Sequence, residues 1–275
     1  MDAVLLFSGQ GAQKVGMGKD LYDQYPVAKA LIEQADKALG ESLSAVMFEG
    51  PGEELTRTCN CQPALYVHGL ACLAVLKELV PSLNPVAAAG LSLGEFTAHA
   101  AAGTYSFEEG LRLVQKRGAF MEEACNATKG TMAAMIGGTD ENVIKLAQEC
   151  DVDVANFNCP GQTVVSGTEE GVAKAVAGAK AAGCKIAKKL NVAGAYHSRL
   201  MHSAMVKLAE ELKNISFGTP SMPVYCNYEA RVVEGPDDIR SMLEHQVCGS
   251  VRWTASMQKL VDQGHRPVSY THLRA

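Results

Sequence analysis

The sequence predicts an α/β protein in which a larger sheet-and-helix part is interrupted by a self-contained ferredoxin-like β-α-β-β-α-β unit. Three observations predict it. The run Val86-Ala87-Ala88-Ala89 feeds Gly90-Leu91-Ser92-Leu93-Gly94-Glu95 and then the small-residue run Thr97 to Ala102, which reads as strand, sharp turn, helix. Strand-length apolar runs elsewhere alternate with segments of helical spacing, the pattern of a layered sheet. From Thr131 to Leu190 the pattern changes to the split βαβ order, complete within about 60 residues. The expected boundaries are therefore residues 1–128 with 192–265 for the larger, discontinuous domain and 129–191 for the inserted subdomain.

A chain of 275 residues can bury a large core, as one domain or as a domain carrying an insertion. With 25 Lys+Arg against 30 Asp+Glu, the net charge of −5 offers no whole-protein attraction to phosphate backbones or anionic lipids. Nucleic acid and membrane are not expected as partners, and an acidic protein partner would need a local basic patch. No stretch approaches the ~18 consecutive apolar residues of a membrane helix. Met1-Asp2 opens with an acidic residue where a secretory signal carries basic ones, so a cytoplasmic location is expected. The nine cysteines lack any C-x-x-C pair and read as reduced thiols, with neither a disulfide framework nor a metal site expected.

Val4-Leu5-Leu6-Phe7 is a first buried strand running into the Gly-rich loop Ser8 to Gly18. That loop fails both nucleotide patterns, because Lys14 stands where a third glycine is needed and Met17 where a P-loop needs lysine. What remains is a tight loop carrying Gln10 and Gln13, close enough to the sheet to lend an N–H to an oxyanion. Helical spacing follows at Val27, Leu31, Ala35 and Ala38, stopped by Gly40. A second helix is expected to start at Gln62-Pro63 and to be apolar almost all round to Val80.

The Gly90 to Gly94 turn is a nucleophile elbow: glycines flank the serine at two residues on either side because a Cβ there would collide with neighbouring backbone. The hydroxyl of Ser92 then stands over a helix N-terminus, where backbone N–H groups are unpaired. Ser106 and Glu109 form a capping box for a helix reaching about Cys125, with an apolar stripe of Phe107, Leu111, Val114, Gly118 and Met121. Arg117 lies on the flank of that stripe, and spacing alone favours a snorkelling side chain over a ligand clamp.

Within the inserted unit the expected strands are Met132–Ile136, Val152–Phe157, Thr163–Ser166 and Cys184–Leu190, with helices over Asp140–Cys150 and Glu169–Ala182. Lys185, Lys188 and Lys189 cluster on its last strand, near the expected mouth of the cleft between the two parts. Beyond it, Ala193 to Ser198 enters a helix with the stripe Met201, Met205, Leu208 and Leu212. His197 sits at that helix start, where the dipole opposes protonation and leaves an imidazole available as a base. His202 falls off the stripe and reads as a surface residue, while His68 and His99 lie in apolar helices and read as core. A further strand at Pro223–Asn227, a helix over Ile239–Gln246 and a last helix from Trp253 through Leu260 complete the pattern.

Taken together, the motifs resemble the malonyl-CoA:acyl carrier protein transacylases, relatives of polyketide acyltransferase domains. The resemblance covers about residues 2 to 265 and rests on seven motifs in the family's order. They are Phe7 to Gln13, Gln62-Pro63-Ala64, Gly90 to Glu95, Lys116-Arg117-Gly118, Asn156 to Gln162, Gly194 to Ser198, and His245-Gln246. It implies an α/β-hydrolase-like large domain with the ferredoxin-like insertion, and it implies roles. Ser92 would be the nucleophile, His197 the base, Gln10 and the Leu93 N–H the oxyanion hole, and Arg117 the partner of the malonyl carboxylate. Gln246 would orient His197 in place of a triad carboxylate, and Gln62 and Asn158 would line the cleft. The implied reaction is ping-pong transfer from malonyl-CoA to the phosphopantetheine thiol of acyl carrier protein, with coenzyme A thioester as substrate and no cofactor.

Two departures from the family pattern bear on the site. Leu91 replaces the histidine often found before the serine, which leaves the turn to its glycines. Tyr196 stands where a phenylalanine is typical, adding a hydroxyl to the acyl pocket and keeping methylmalonyl open as an alternative acyl group. A serine hydrolase or thioesterase using water as acceptor is the rival activity, and a catalytically silent carrier-protein-binding module the rival of another class. After Gln263-Gly264-His265 the family continues with a strand, a Gly-Pro-Gly turn and a helix, whereas residues 266–275 follow none of these. They are expected to be a truncated or non-native end.

Overall fold

A computed structural model of the protein describes residues 1–265. The expectation for residues 266–275 lies outside the described residues. The chain begins with β1 (Asp2–Phe7), the short helix α1 (Lys19–Gln24), α2 (Pro26–Leu39), α3 (Leu43–Glu49), α4 (Gly52–Thr56) and the long α5 (Thr58–Leu79). Then come β2 (Asn84–Gly90), α6 (Leu93–Ala101) and α7 (Phe107–Ala127). The inserted unit is β3 (Gly130–Ile136), α8 (Asp140–Glu149), β4 (Asp153–Cys159), β5 (Gln162–Thr168), α9 (Glu169–Gly178) and β6 (Ile186–Lys189). The chain closes with α10 (His202–Lys213), β7 (Val224–Tyr225), α11 (Pro236–Gln246) and α12 (Trp253–Asp262).

Two sheets organise these elements. In the larger part β1, β2 and β7 run parallel in that order, with Phe7 opposite Gly90 and Ala89 opposite Tyr225. The expected strand at Pro223–Asn227 pairs over two residues only, because Asn227 leaves the ladder to grip the elbow instead. In the inserted unit the order is β4-β5-β3-β6, all antiparallel, with α8 and α9 packed on one face. Thr139 and Thr168 cap those two helices through their hydroxyls. The other face, carrying Met132, Val164 and Leu190, packs against the large core. A parallel bridge between Asn156 and Val251 joins the two parts, with the Phe157 N–H donating to the Val251 carbonyl at 2.9 Å.

Several elements depart from the sequence expectations for identifiable reasons. In α2 the fully buried positions are Ala28, Ile32 and Ala35; Ala35 belongs to the expected stripe, and Ala28 and Ile32 lie one residue along from Val27 and Leu31, because the helix presents that side to α5. Helix α5 starts a turn before Gln62, so Pro63 sits inside it rather than at its first position. At 22 residues α5 is long and apolar enough to cross a membrane, contrary to the expectation from runs of apolar residues. Scattered polar residues hide its length from such a count, and 67% of its most apolar window is buried inside the protein. The capping box of α7 forms as expected, the Ser106 hydroxyl accepting from the Glu109 N–H while the Glu109 carboxylate accepts from the Ser106 N–H. All nine cysteines are free thiols, four of them buried.

Candidate active site

The elbow forms at the end of β2. Ser92 takes φ 54° and ψ −105°, a conformation that costs on the order of 1–3 kcal/mol and persists only where the surroundings enforce it. The glycines are required by close approach: a Cβ on Gly90 would overlap the Gly94 carbonyl group, and one on Gly94 would overlap the Phe7 carbonyl. Asn227, just beyond β7, clasps the turn from the side. Its Oδ1 accepts the Ser92 N–H at 2.6 Å and its Nδ2 donates to the Gly90 carbonyl at 2.8 Å. Nothing local in the sequence marks Asn227, which lies 135 residues away from the serine it holds.

His197 meets Ser92 in the geometry of a nucleophile and base pair. The Ser92 hydroxyl lies 2.8 Å from His197 Nε2. Nδ1 faces the Gln246 carbonyl at 2.8 Å and the Gly249 carbonyl at 3.2 Å, both of which can only accept. Nδ1 therefore carries the proton, and Nε2 presents its lone pair to the serine. Burial pushes the imidazole down to about 4, with the Arg117 charge as the next cause and the two carbonyls opposing. This corrects two expectations. The Gln246 main chain, not its side-chain amide, orients the histidine. Desolvation is the largest cause that keeps it neutral, where the sequence suggested a helix dipole; the 3-10 turn Arg199–Met201 that follows it leads into α10.

Arg117 overturns the snorkelling reading. It is 1% exposed, because the flank of the α7 stripe faces the floor of the cleft rather than solvent. Nη1 donates to Gln62 Oε1 at 2.7 Å, and Nη2 donates to Gln246 Oε1 at 2.8 Å and to Ser92 Oγ at 3.1 Å. The guanidinium also lies over the Phe96 ring, 5.0 Å from its centroid. Burial lowers its pKa to about 10, leaving it a cation at neutral pH. Gln62 does not line the cleft as expected; it lies beneath Arg117 and holds it from below.

The freed Gln246 amide binds deeper. Its Nε2 donates to the Ser92 carbonyl at 2.9 Å and to Glu95 Oε2 at 2.6 Å. Glu95 is wholly buried, and desolvation raises its carboxyl to about 7. Sequence reasoning missed it, although its position directly after the elbow's second glycine was visible.

Above these residues opens a cleft of about 730 Å³ between the two parts. Ser92, Leu93, Gln10 and Tyr196 line it from the larger part, and Asn158 and Val164 from the inserted unit. The first-turn N–H of Leu93 is one that a helix leaves without an intrahelical acceptor. The Tyr196 hydroxyl lies 2.7 Å from Thr58 Oγ1, so the added group is tied to the wall. Asn158 donates to Gln162 Oε1 at 3.2 Å, while its Oδ1 is buried without a partner. Of the other histidines, His99 is core as expected, His68 is only half-buried, and His202 is exposed. Among the described residues no group of three or more His, Cys, Asp or Glu converges as a metal site would.

The comparisons with known proteins agree with this geometry. The family model described as acyl transferase domain matches residues 4–268. A malonyl CoA-acyl carrier protein transacylase of Bacillus subtilis is 43% identical over 264 residues, covering 94% of this chain and 83% of the relative. The structure of such a transacylase from Coxiella burnetii superposes with a TM-score of 0.92 at 35% identity, covering 96% of this chain and 84% of that one. A malonyl-transacylase solved in complex with a type II polyketide acyl-carrier protein gives 0.92 at 36% identity over 96% and 86% of the two chains. A Ser-His pair at the cleft, an arginine at its floor and matches spanning nearly the whole chain lead to one conclusion: this protein belongs to the acyl transferase family, among the malonyl CoA-acyl carrier protein transacylases.

Proposed function

We propose that this protein transfers the malonyl group of malonyl-CoA to the phosphopantetheine thiol of an acyl carrier protein, supplying extender units for fatty acid synthesis. The observation that carries the reading is the position of the Ser92 hydroxyl, 2.8 Å from the neutral Nε2 of His197 and 3.1 Å from the Arg117 guanidinium. One hydroxyl is thus activated by a base and set beside a group that reads carboxylates.

As Ser92 Oγ attacks the thioester carbonyl, its proton passes to His197 Nε2, and the imidazolium is held by the Gln246 and Gly249 carbonyls. The developing oxyanion accepts from the Leu93 N–H and from Gln10. Coenzyme A leaves as the thiol, taking the proton back from His197. The carrier thiol then attacks the malonyl-serine ester, gives its proton to Nε2, and restores Ser92. Arg117 pairs with the malonyl carboxylate, which an apolar cleft would otherwise reject. No resident cofactor takes part, since the coenzyme A thioester is itself the substrate.

Three finer readings belong with this proposal. The strand order β4-β5-β3-β6 supports a ferredoxin-like subdomain inserted in a hydrolase-like domain, with limits at 129–191. Its position across the cleft supports Asn158 as a lining residue for the substrate. The free thiols fit a reducing, cytoplasmic setting.

Incubation with malonyl-CoA followed by intact-mass measurement and peptide mapping tests the proposal. One malonyl unit is expected on Ser92, transferable to holo carrier protein and absent from Ser92→Ala. Label on a cysteine, or steady release of coenzyme A without carrier protein, would overturn it in favour of a thioesterase.

A further inference from the structure

The unexplained group at this site is Glu95. It lies one turn past the nucleophile, wholly buried, and a lone carboxylate in such a place is costly unless something depends on it. One oxygen accepts from Gln246 Nε2 at 2.6 Å and from the Asn227 N–H at 2.9 Å, while the other is buried with no partner. Arg117, by contrast, is a buried cation whose hydrogen-bond partners Gln62, Ser92 and Gln246 are all neutral. Glu95 and Arg117 do not touch, yet each bears on the other's charge. The Gln246 side chain is the link between them.

That link has a direction. Arginine can only donate, so Gln246 must turn its oxygen toward Arg117. Rotating the amide by half a turn would set N–H against N–H. What prevents the rotation is the other end, where Nε2 meets two acceptors, the Ser92 carbonyl and the Glu95 carboxylate. Above about pH 7, where this carboxyl is ionised, it cannot donate, so it fixes the amide's polarity in a way that a neutral side chain would not. The geometry points to Glu95 as a positioning residue for carboxylate recognition: through the Gln246 amide it holds the Arg117 guanidinium in the orientation that reads the substrate carboxylate. The inference rests on the proposed transfer reaction for its substrate, though not for its network.

The decisive readout is selectivity, because a merely structural residue would affect all thioesters alike. In single-turnover acylation at about pH 8, Glu95→Gln is expected to slow malonyl loading by about tenfold or more while acetyl loading changes by less than about threefold. Gln246→Met, which removes the link and leaves Glu95 in position, should lower the same ratio even if Glu95→Gln fails to fold. The double variant should lose no more selectivity than Gln246→Met alone, since both act on one path. Equal losses with both thioesters, or additive losses in the double variant, would overturn the inference. If the wild-type protein forms no malonyl-serine, the transfer reading has failed. The Glu95 inference is then decided by calorimetric affinity of Ser92→Ala for malonyl-CoA against acetyl-CoA, with and without Glu95→Gln.

Discussion

The two walls of the cleft are built on different principles. On the wall of the larger part each group proposed to react or bind is locked by main chain or by a buried partner: Ser92 by Asn227, His197 by two carbonyls, Arg117 by Gln62 and Gln246. The wall of the inserted unit presents Met132, Val164 and Leu190, with Asn158 holding a free acceptor. The first wall is a preorganised electrostatic site, and the second supplies shape and an entrance. The polar groups that meet Ser92 therefore concentrate where parallel strands end and helices begin.

The largest test of that contrast is Arg117. Arg117→Ala should lower kcat/KM for malonyl-CoA by a factor on the order of 10² or more, as for a buried charged pair worth about 2–5 kcal/mol. Acetyl-CoA, lacking the carboxylate, should be used at least as well by the variant. An equal fall with both substrates would mean that the arginine supports the fold and does not read the acyl group.

Next in size is Asn227, which is buried beside the elbow and does not line the cleft. Asn227→Ala removes two bonds to a strained turn and should cost about 1–3 kcal/mol of stability, with an approximately tenfold slower acylation of Ser92. Thermal melting and burst kinetics separate the two effects. A variant of full stability and full rate would show that the glycines alone hold the elbow.

The pH dependence separates two buried groups of the same wall. His197 titrates at about 4 in the folded protein, below the usual value of 6.5 for histidine, so the acid limb of kcat/KM should fall well below pH 6.5. The folded state binds fewer protons there than the unfolded chain, and His197 therefore contributes stability that is lost as pH falls from 6.5 toward 4. Glu95 has the opposite sign: its carboxyl is raised from 4.5 to about 7, so its contribution is present below 4.5 and lost as pH rises through 7. The melting temperature of Glu95→Gln relative to wild type should accordingly rise between pH 4.5 and 7. A flat difference across that window would mean that Glu95 stays ionised throughout.

The smallest effect is expected on the wall of the inserted unit. Lys188 shares a strand face with Leu190 beside the cleft, whereas Lys189 points to the helical side and pairs with Glu169 at 3.5 Å. If an acidic carrier protein docks here, Lys188→Glu should raise its apparent KM a few-fold at low salt and spare acylation by malonyl-CoA, while Lys189→Glu does little. Equal responses would remove the face argument, and no response would move the docking patch elsewhere.

The sequence by itself determined the elements whose causes are local. Gly90, Ser92 and Gly94 declare a turn that only glycine permits, Ser106 and Glu109 declare a helix start, and the change of period after Thr131 declares the second, antiparallel sheet. These follow from backbone sterics and hydrogen bonding within a few residues, which no distant contact alters. Only the tertiary structure decided which atoms meet. It buried Arg117 where spacing favoured a snorkelling side chain, and it turned Gln246 so that its carbonyl orients His197 while its amide joins Arg117 to Glu95. It also brought Asn227 to the serine across 135 residues. Burial and hydrogen-bond polarity belong to the packed arrangement of several elements, and a one-dimensional pattern carries no record of which side of a helix will meet a cleft.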